Sequence, residues 1–259
     1  MATFHLHTIF SSLQGEGRNV GRPATFVRFS GCNLACKWCD THKDERMSCT
    51  AEEIVKKVGE HSNKSVIITG GEPTVQRDLD VLVRELKDAG YWVALETNGV
   101  RAPACAELFD YISVSPKPDY FSRYMDNLML REANEVRIVA TTDEIVGFCR
   151  SMRTRIKATD YYISPLETDG RMHYRRALNL LMKLKKTMPD AMPPWSLSIQ
   201  MHKVIGIRWG RVSPSPPWRS SPRWPLWRSP MRGGSRVHRA IRVSCVSCGG
   251  TTCAPTRTR

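Results

Sequence analysis

Three cysteines fall within eight residues, Cys32-Asn33-Leu34-Ala35-Cys36-Lys37-Trp38-Cys39, directly after an apolar run. The C-x3-C-x2-C spacing puts three thiolates on one short loop, where they can hold three corners of a cubane iron–sulfur cluster. Ferredoxin-type clusters take four cysteines. A loop with three and no close fourth leaves one iron open to a non-protein ligand, and an open iron is a reaction site rather than a simple relay. The competing reading is zinc, which takes four closed ligands in structural sites and would find its fourth in His42.

Such a loop must be carried by a scaffold, and the pattern up to about Arg208 supplies one. Strands are expected over 24–29, 65–69, 91–96, 111–115, 135–140 and 161–164. Runs such as Val66-Ile67-Ile68 are continuously apolar, as parallel strands covered on both faces are. Thr50-Ala51-Glu52-Glu53 reads as a capping box opening a helix with Ile54, Val55 and Val58 inside. Leu79, Leu82, Val83, Leu86 and Ala89 form the next apolar stripe, with Gly90 placed to end it. A later helix shows Tyr174, Leu178, Leu181, Leu184 and Met188. Six strand–helix units with right-handed crossovers predict an α/β fold, an open, partial (β/α) barrel of about six parallel strands.

Polar motifs follow these strands in order. The cysteine loop follows the first and Gly70-Gly71-Glu72-Pro73 the second. Glu96-Thr97-Asn98-Gly99 ends the third, Ser115-Pro116-Lys117-Pro118 the fourth, and Ser164-Pro165-Leu166-Glu167 the sixth. The carboxyl ends of parallel strands form the mouth where ligands bind, so five polar motifs there point to one site.

The cysteine spacing, with Trp38 before the last thiol, resembles the signature of the radical S-adenosylmethionine (SAM) enzymes. Leu13-Gln14-Gly15-Glu16-Gly17, Arg28, Cys39-Asp40-Thr41 and Gln200-Met201-His202-Lys203, added to the strand-end motifs, narrow the resemblance to the 7-carboxy-7-deazaguanine synthases, from about Thr8 to Arg208. That resemblance implies a 4Fe-4S cluster on Cys32, Cys36 and Cys39, with SAM on the open iron. It implies SAM contacts from Gly71, Glu72, Ser115, Pro116, Lys117, Ser164, Pro165, Leu166 and Glu167, and Mg2+ on Thr41. The implied substrate is 6-carboxy-5,6,7,8-tetrahydropterin, bound by Leu13, Gln14, Gly15, Glu16, Arg28, Thr69 and His202. Arg28 suits its carboxylate, because a guanidinium fork binds one bidentately. An external electron donor such as a flavodoxin and a homodimeric state are also implied. Two other readings are a glycyl-radical-enzyme activase, which has no need of Gln14, Glu16 or Thr41, and a basic nucleic-acid-binding protein with a structural metal.

The +14 net charge of the 259 residues invites that last reading, but its distribution does not. From Gly210 onward there are ten arginines and no Asp, Glu or Lys, so the body carries only about +4. Nucleic-acid binding is therefore not expected of the body. The segment 209–259, rich in Arg, Ser, Pro and Trp, lacks any amphipathic period and reads as a disordered or out-of-frame extension. In the resembled family the chain ends near Arg208, close to the substrate, so this extension bears on activity. No apolar stretch reaches membrane-spanning length, the N-terminus has no secretion pattern, and nine cysteines fit a reducing cytoplasm. Cys49, Cys105 and Cys149 read as plain thiols. Each of Cys32, Cys36 and Cys39 is expected to be required for cluster assembly, whereas replacing Cys245, Cys248 and Cys253 together by Ser leaves about four irons per chain. Iron and sulfide analysis of anaerobically reconstituted protein checks this; a loss of several irons in the triple variant contradicts it.

Overall fold

The computed structural model describes residues 2–39, 47–126, 129–187 and 194–207. Eleven strands and five α-helices follow one another as β1 (Thr3–Leu13), β2 (Pro23–Phe29), β3 (Met47–Thr50), α1 (Ala51–Gly59), β4 (Ser65–Gly70), α2 (Leu79–Asp88), β5 (Trp92–Thr97), β6 (Tyr111–Val114), β7 (Glu135–Ala140), α3 (Val146–Arg155), β8 (Asp160–Pro165), β9 (Glu167–Thr168), β10 (Arg171–Met172), α4 (Tyr174–Thr187), β11 (Trp195–Leu197) and α5 (Met201–Val204). Nine strands form one sheet in the order β11-β8-β7-β6-β5-β4-β2-β1-β3. It is parallel from β2 to β11 and antiparallel where β1 joins β2 and β3. Among the described residues β11 and β3 are unclosed edges, so the α/β sheet is open, as expected.

Several details differ from the sequence expectation. The parallel strands number seven, because Trp195–Leu197 adds one beyond β8. Only four substantial helices cover the sheet; β5 and β6, and β6 and β7, are joined through short 3-10 turns at Ala106–Leu108 and Pro118–Met125. The α4 stripe is also shifted. Ala177, Leu180 and Leu184 are buried against β7, β8 and β11, while Leu178 is 48% exposed, because contact with the sheet rather than the most apolar arc sets the helix rotation. Ala89, expected on the α2 stripe, is exposed. The α1 capping box is present: Glu53 N–H donates to Thr50 Oγ1 at 3.2 Å and Thr50 N–H to Glu53 Oε2 at 2.9 Å.

The two faces of the sheet have different jobs. Val27, Phe29, Val66, Ile68, Val93, Leu95, Val136 and Ile138 join the helices in the main core. On the opposite face Phe10, Phe26, Ile67 and Ala94 form a smaller apolar layer. Further along the same face stand Arg28, Thr69, Glu96, Ser113 and Arg137, because successive side chains alternate and parallel partners share a side. Apolar side chains thus floor a cavity whose upper wall is polar. Main-chain packing divides the chain into a unit of Met1–Arg219 and one of Ser220–Arg259, the latter lying outside the described residues. No helix among the described residues is long and apolar enough to cross a membrane. Gly70, with φ of 133°, lets β4 lie so close to β2 that a Cβ would sit 2.3 Å from the Phe29 backbone. Gly70→Ala is expected to cost about 2 kcal/mol or more, read as a lowered urea midpoint; an unchanged midpoint refutes the close approach.

Candidate active site

The loops at the carboxyl ends of the strands enclose one cavity of about 260 Å³. Its walls include Cys32, Cys36 and Cys39 on one side and Leu13, Gln14, Gly15, Glu16 and Arg28 on another. Thr69, His202, Gly71, Glu72, Ser115, Lys117, Ser164, Pro165, Leu166 and Glu167 also line it. Every expected site residue that is described reaches this cavity except Pro116, which is not part of its wall. Pro116 sets the backbone between Ser115 and Lys117 and offers no side-chain donor or acceptor of its own. Thr41, the expected Mg2+ ligand, and His42, the alternative zinc ligand, lie outside the described residues.

The cysteine loop is held from both flanks. Gly71 N–H donates to Phe29 O at 3.0 Å and Glu72 N–H to Gly31 O at 2.9 Å. The backbones are so close that a Cβ on Gly71 would overlap Gly31 O, which explains why this position of the Gly-Gly-Glu-Pro loop is glycine. Opposite, Tyr120 OH accepts from Ala35 N–H at 3.0 Å, and Trp38 Nε1 donates to Asp119 Oδ2 at 3.2 Å. Leu34 N–H points at Cys32 Sγ at 3.4 Å, a contact that stabilises a thiolate. None of the three thiols is in a disulfide. Among the described residues no three His, Cys, Asp or Glu side chains stand at metal-ligand spacing; Cys32, Cys36 and Cys39 would have to draw together to hold a cluster, as metal affinity and local folding are coupled. Cys49, Cys105 and Cys149 are buried, and burial pushes their thiols up, Cys149 to about 12, which suits plain core thiols.

Glu72 is 1% exposed, and its carboxylate ties two strand ends together. Thr74 N–H (3.1 Å), Thr74 Oγ1 (2.8 Å) and Thr97 Oγ1 (2.7 Å) donate to Oε1, and Asn98 N–H (2.7 Å) to Oε2. Burial nevertheless pushes its carboxyl above the ordinary value. Lys117 Nζ donates to Ser115 Oγ at 2.7 Å and stands 5.4 Å from the Trp38 ring; burial lowers its pKa. Ser164 Oγ is buried and has no hydrogen-bond partner among the described residues, so a bound ligand can supply one.

Across the cavity the Gln-Gly-Glu-Gly loop joins a charged network. Gln14 Nε2 donates to Glu96 Oε1 at 2.9 Å, and Glu16 N–H to Gln14 Oε1 at 3.2 Å. Thr69 Oγ1 donates to Glu96 Oε2 at 2.8 Å. Arg137, 6% exposed, donates to Glu16 Oε2 (2.5 Å), Glu96 Oε1 (2.7 Å) and Ser113 Oγ (2.8 Å), with Glu135 Oε1 at 3.0 Å. The segment 198–207 closes this wall. Met201 N–H donates to Gly15 O, the His202 ring lies where a Gly15 side chain would go, and Lys203 pairs with Glu167 at 2.5 Å. His202 thus reaches the site from α5 rather than from a strand.

Residues 26–169 match the family model of the Radical SAM superfamily. The 7-carboxy-7-deazaguanine synthase of Haemophilus influenzae is 44% identical over 205 residues, spanning 79% of this chain and 94% of that protein. That of Neisseria meningitidis serogroup B is 44% identical over 204 residues with the same coverage. The chain belongs to the 7-carboxy-7-deazaguanine synthase family. Its fold matches the crystal structure of QueE from Escherichia coli with a TM-score of 0.58 at 23% identity, over 77% of this chain and 95% of that one.

Membership in this family makes the chain a radical SAM lyase with a 4Fe-4S cluster and SAM as cofactors. The three cysteines on one wall, the glycine cradle at Gly71 and the buried Ser164 hydroxyl fit such a pair of groups. Neither the activase nor the nucleic-acid reading finds support among these relatives. Glu96 stands in a motif that the sequence places at the mouth, whereas Ser113 and Arg137, which also line the cavity, and Glu135 beside them belong to no expected motif. A signal was available: Glu135 and Arg137 stand two apart in the otherwise apolar run Glu135–Ala140, hence on one face.

Burial works against the Glu96 charge, but the neighbouring Arg137 and the hydrogen bonds from Arg137, Gln14 and Thr69 outweigh it and hold the carboxyl at about 2, below its ordinary 4.5. A carboxyl depressed on folding stabilises the protein fully above the unfolded value and loses that contribution as pH falls through the folded one. Glu96→Gln is therefore expected to lower the melting temperature most near neutral pH, with the gap to wild type closing between about pH 4.5 and 2. Anaerobic thermal melts across that range check it; a gap independent of pH contradicts it.

Proposed function

We propose that this chain converts 6-carboxy-5,6,7,8-tetrahydropterin to 7-carboxy-7-deazaguanine with loss of ammonia, a precursor step for 7-deazapurine nucleosides such as queuosine. The observation that carries this reading is one cavity lined both by the three-cysteine loop and by Gln14, Glu16 and Arg28. When bound, the cluster and SAM supply the hydrogen-abstracting chemistry, and the protein's share is binding, orientation and exclusion of water.

Arg28 is the residue for the pterin carboxylate. It lies in β2 on the cavity face, with its guanidinium carbon 5.6 Å from the Phe10 ring centre. Gln14 and Glu16 offer an amide and a carboxylate to the amide and amine edge of the heterocycle. The backbone of Leu13 and Gly15 can approach its flat face, Thr69 contributes a hydroxyl, and His202 closes the far side. Gly71, Glu72, Ser115, Lys117, Ser164, Pro165, Leu166 and Glu167 are left for SAM. Three donors converge on Glu72 Oε1 and one on Oε2, so Oε2 retains the open acceptor position for the SAM ammonium. Pro116 serves this half through the backbone alone.

The proposal extends to Mg2+ on Thr41, since a hydroxyl oxygen is a sound ligand for a hard cation that keeps waters around it. It includes an external one-electron donor of the flavodoxin kind, a homodimer, and a cytoplasmic location, in keeping with cysteines that form no disulfide among the described residues. It also divides the chain into a catalytic body of 1–208 and an appended 209–259, on the change of composition after Arg208. Anaerobically reconstituted protein given SAM, reductant and the carboxytetrahydropterin is expected to form the deazaguanine product, with stimulation by Mg2+. Arg28→Ala is expected to raise KM for the pterin by about tenfold to a hundredfold, the loss of a charge-assisted pair, with SAM binding retained. SAM cleavage that requires a partner protein and never responds to the pterin overturns the reading.

A further inference from the structure

Arg137, a guanidinium in the wall of this cavity, is committed to three carboxylates from three chain segments. Its Nη1 donates to Glu16 on the Gln-Gly-Glu-Gly loop, its Nη2 to Glu96 at the end of β5, and its Nε stands against Glu135 of its own strand while donating to Ser113 of β6. Resting on the proposed reading of the pterin site, we infer that Arg137 is a positioning residue: it holds Glu16 in place and fixes Glu96, which in turn orients the Gln14 amide, so that Glu16 and Gln14 meet the amine and amide edge of the substrate.

Glu16, Glu96 and Glu135 all face one guanidinium; the Glu135 side chain is buried and those of Glu16 and Glu96 are 19% and 24% exposed. Carboxylates at such range repel one another unless a cation is shared among them. Arg137 is a shared cation, held strongly protonated by the carboxylates despite its burial. Tyr111 of β6 donates to Glu135 at 2.9 Å and is neutral, its phenol pushed up by burial and by that carboxylate. From β8, Asp160 pairs outward with Arg18 at 3.0 Å, and the Tyr162 phenol is pushed up by burial and Asp160. The other basic side chains of the wall are Arg28 on β2, Lys117, which is turned to Ser115 on the cysteine side, and His202 and Lys203 on α5, where Lys203 pairs with Glu167.

Geometry then links this charge to recognition. Gln14 is fixed at both ends of its amide, by Glu96 at Nε2 and by the Glu16 N–H at Oε1. The orientation of Gln14 therefore follows from the ionisation of Glu96. A protonated Glu96 presents a hydroxyl donor toward Gln14 Nε2, itself a donor, and the amide loses the orientation that meets the substrate edge. With Arg137 in place the Glu96 carboxyl is held at about 2, so substrate affinity does not depend on its titration in the working pH range. Without that cation, burial raises the Glu96 carboxyl and binding weakens as pH falls.

The test is the ratio of KM for 6-carboxytetrahydropterin at about pH 6 to that at about pH 8.5, the interval into which desolvated carboxylates move when unpaired. Reconstituted wild type, Arg137→Lys and Arg137→Met are compared, with iron content as the control for folding. A ratio near one is expected for wild type and for the lysine variant, which keeps a cation among the carboxylates. Arg137→Met is expected to show a ratio of about tenfold, the worth of a hydrogen bond to a charged group. If the methionine variant does not fold, Arg137→Gln, neutral but able to donate, takes its place with the same expectation. A ratio near one in the neutral variants, whether KM is unchanged or uniformly raised, overturns the inference and leaves the proposed function standing. Failure of the wild type to turn over the pterin removes both.

Discussion

Three carboxylates at close range repel one another unless a cation is divided among them, and at the centre of this sheet that cation is Arg137. Its three nitrogens reach the loop after β1, the end of β5 and the face shared by β6 and β7, so one side chain fastens four segments. Breaking a buried charge cluster by removing one partner is far more costly than the net worth of the cluster. The arrangement therefore constrains more than stability. It fixes where Glu16, Glu96 and Gln14 stand relative to the cysteine loop, and hence the distance between the two halves of the cavity.

The opposite half relies on backbone rather than charge. Gly71 lies against Gly31 so closely that no side chain fits, and Glu72 closes the same junction by accepting from the turn after β5. The loop that follows Lys117 supplies Tyr120 and Asp119 from the other side. Cluster loop, Gly-Gly-Glu-Pro loop and Ser-Pro-Lys loop are thus one mechanical unit. Sheet alternation explains how both halves coexist: one face is mostly apolar and packs on helices, whereas the other becomes polar beyond its Phe10, Phe26 and Ile67 layer.

Much of this was legible in the chain. Cysteine spacing, strand-end motifs and β-rich runs located the mouth, because chemistry-bearing residues there are local in sequence. The charged row was harder to see. Glu96 and Arg137 are forty-one positions apart and meet only through the register of β5, β6 and β7, so local pattern carries no trace of their pairing. β1 is faint for another reason: Phe4 and Leu6 are buried while His5 and His7 are not, an alternation too short to stand out at a chain terminus. The misplaced face of α4 shows the limit of apolar periodicity, since the sheet selected Ala177 over the larger Leu178.

The account stands on one cavity holding both ligands at once, with the pterin on the Gln14, Glu16 and Arg28 wall and SAM between it and the cysteines. An anaerobic crystal structure of the reconstituted protein with SAM and 6-carboxy-5,6,7,8-tetrahydropterin measures this directly. The predicted result is the pterin carboxylate on Arg28, its amine and amide edge on Glu16 and Gln14, and the Arg137–Glu96 pair intact beneath it. A pterin bound elsewhere, or one that displaces Glu96 from Arg137 to bind, would contradict the account.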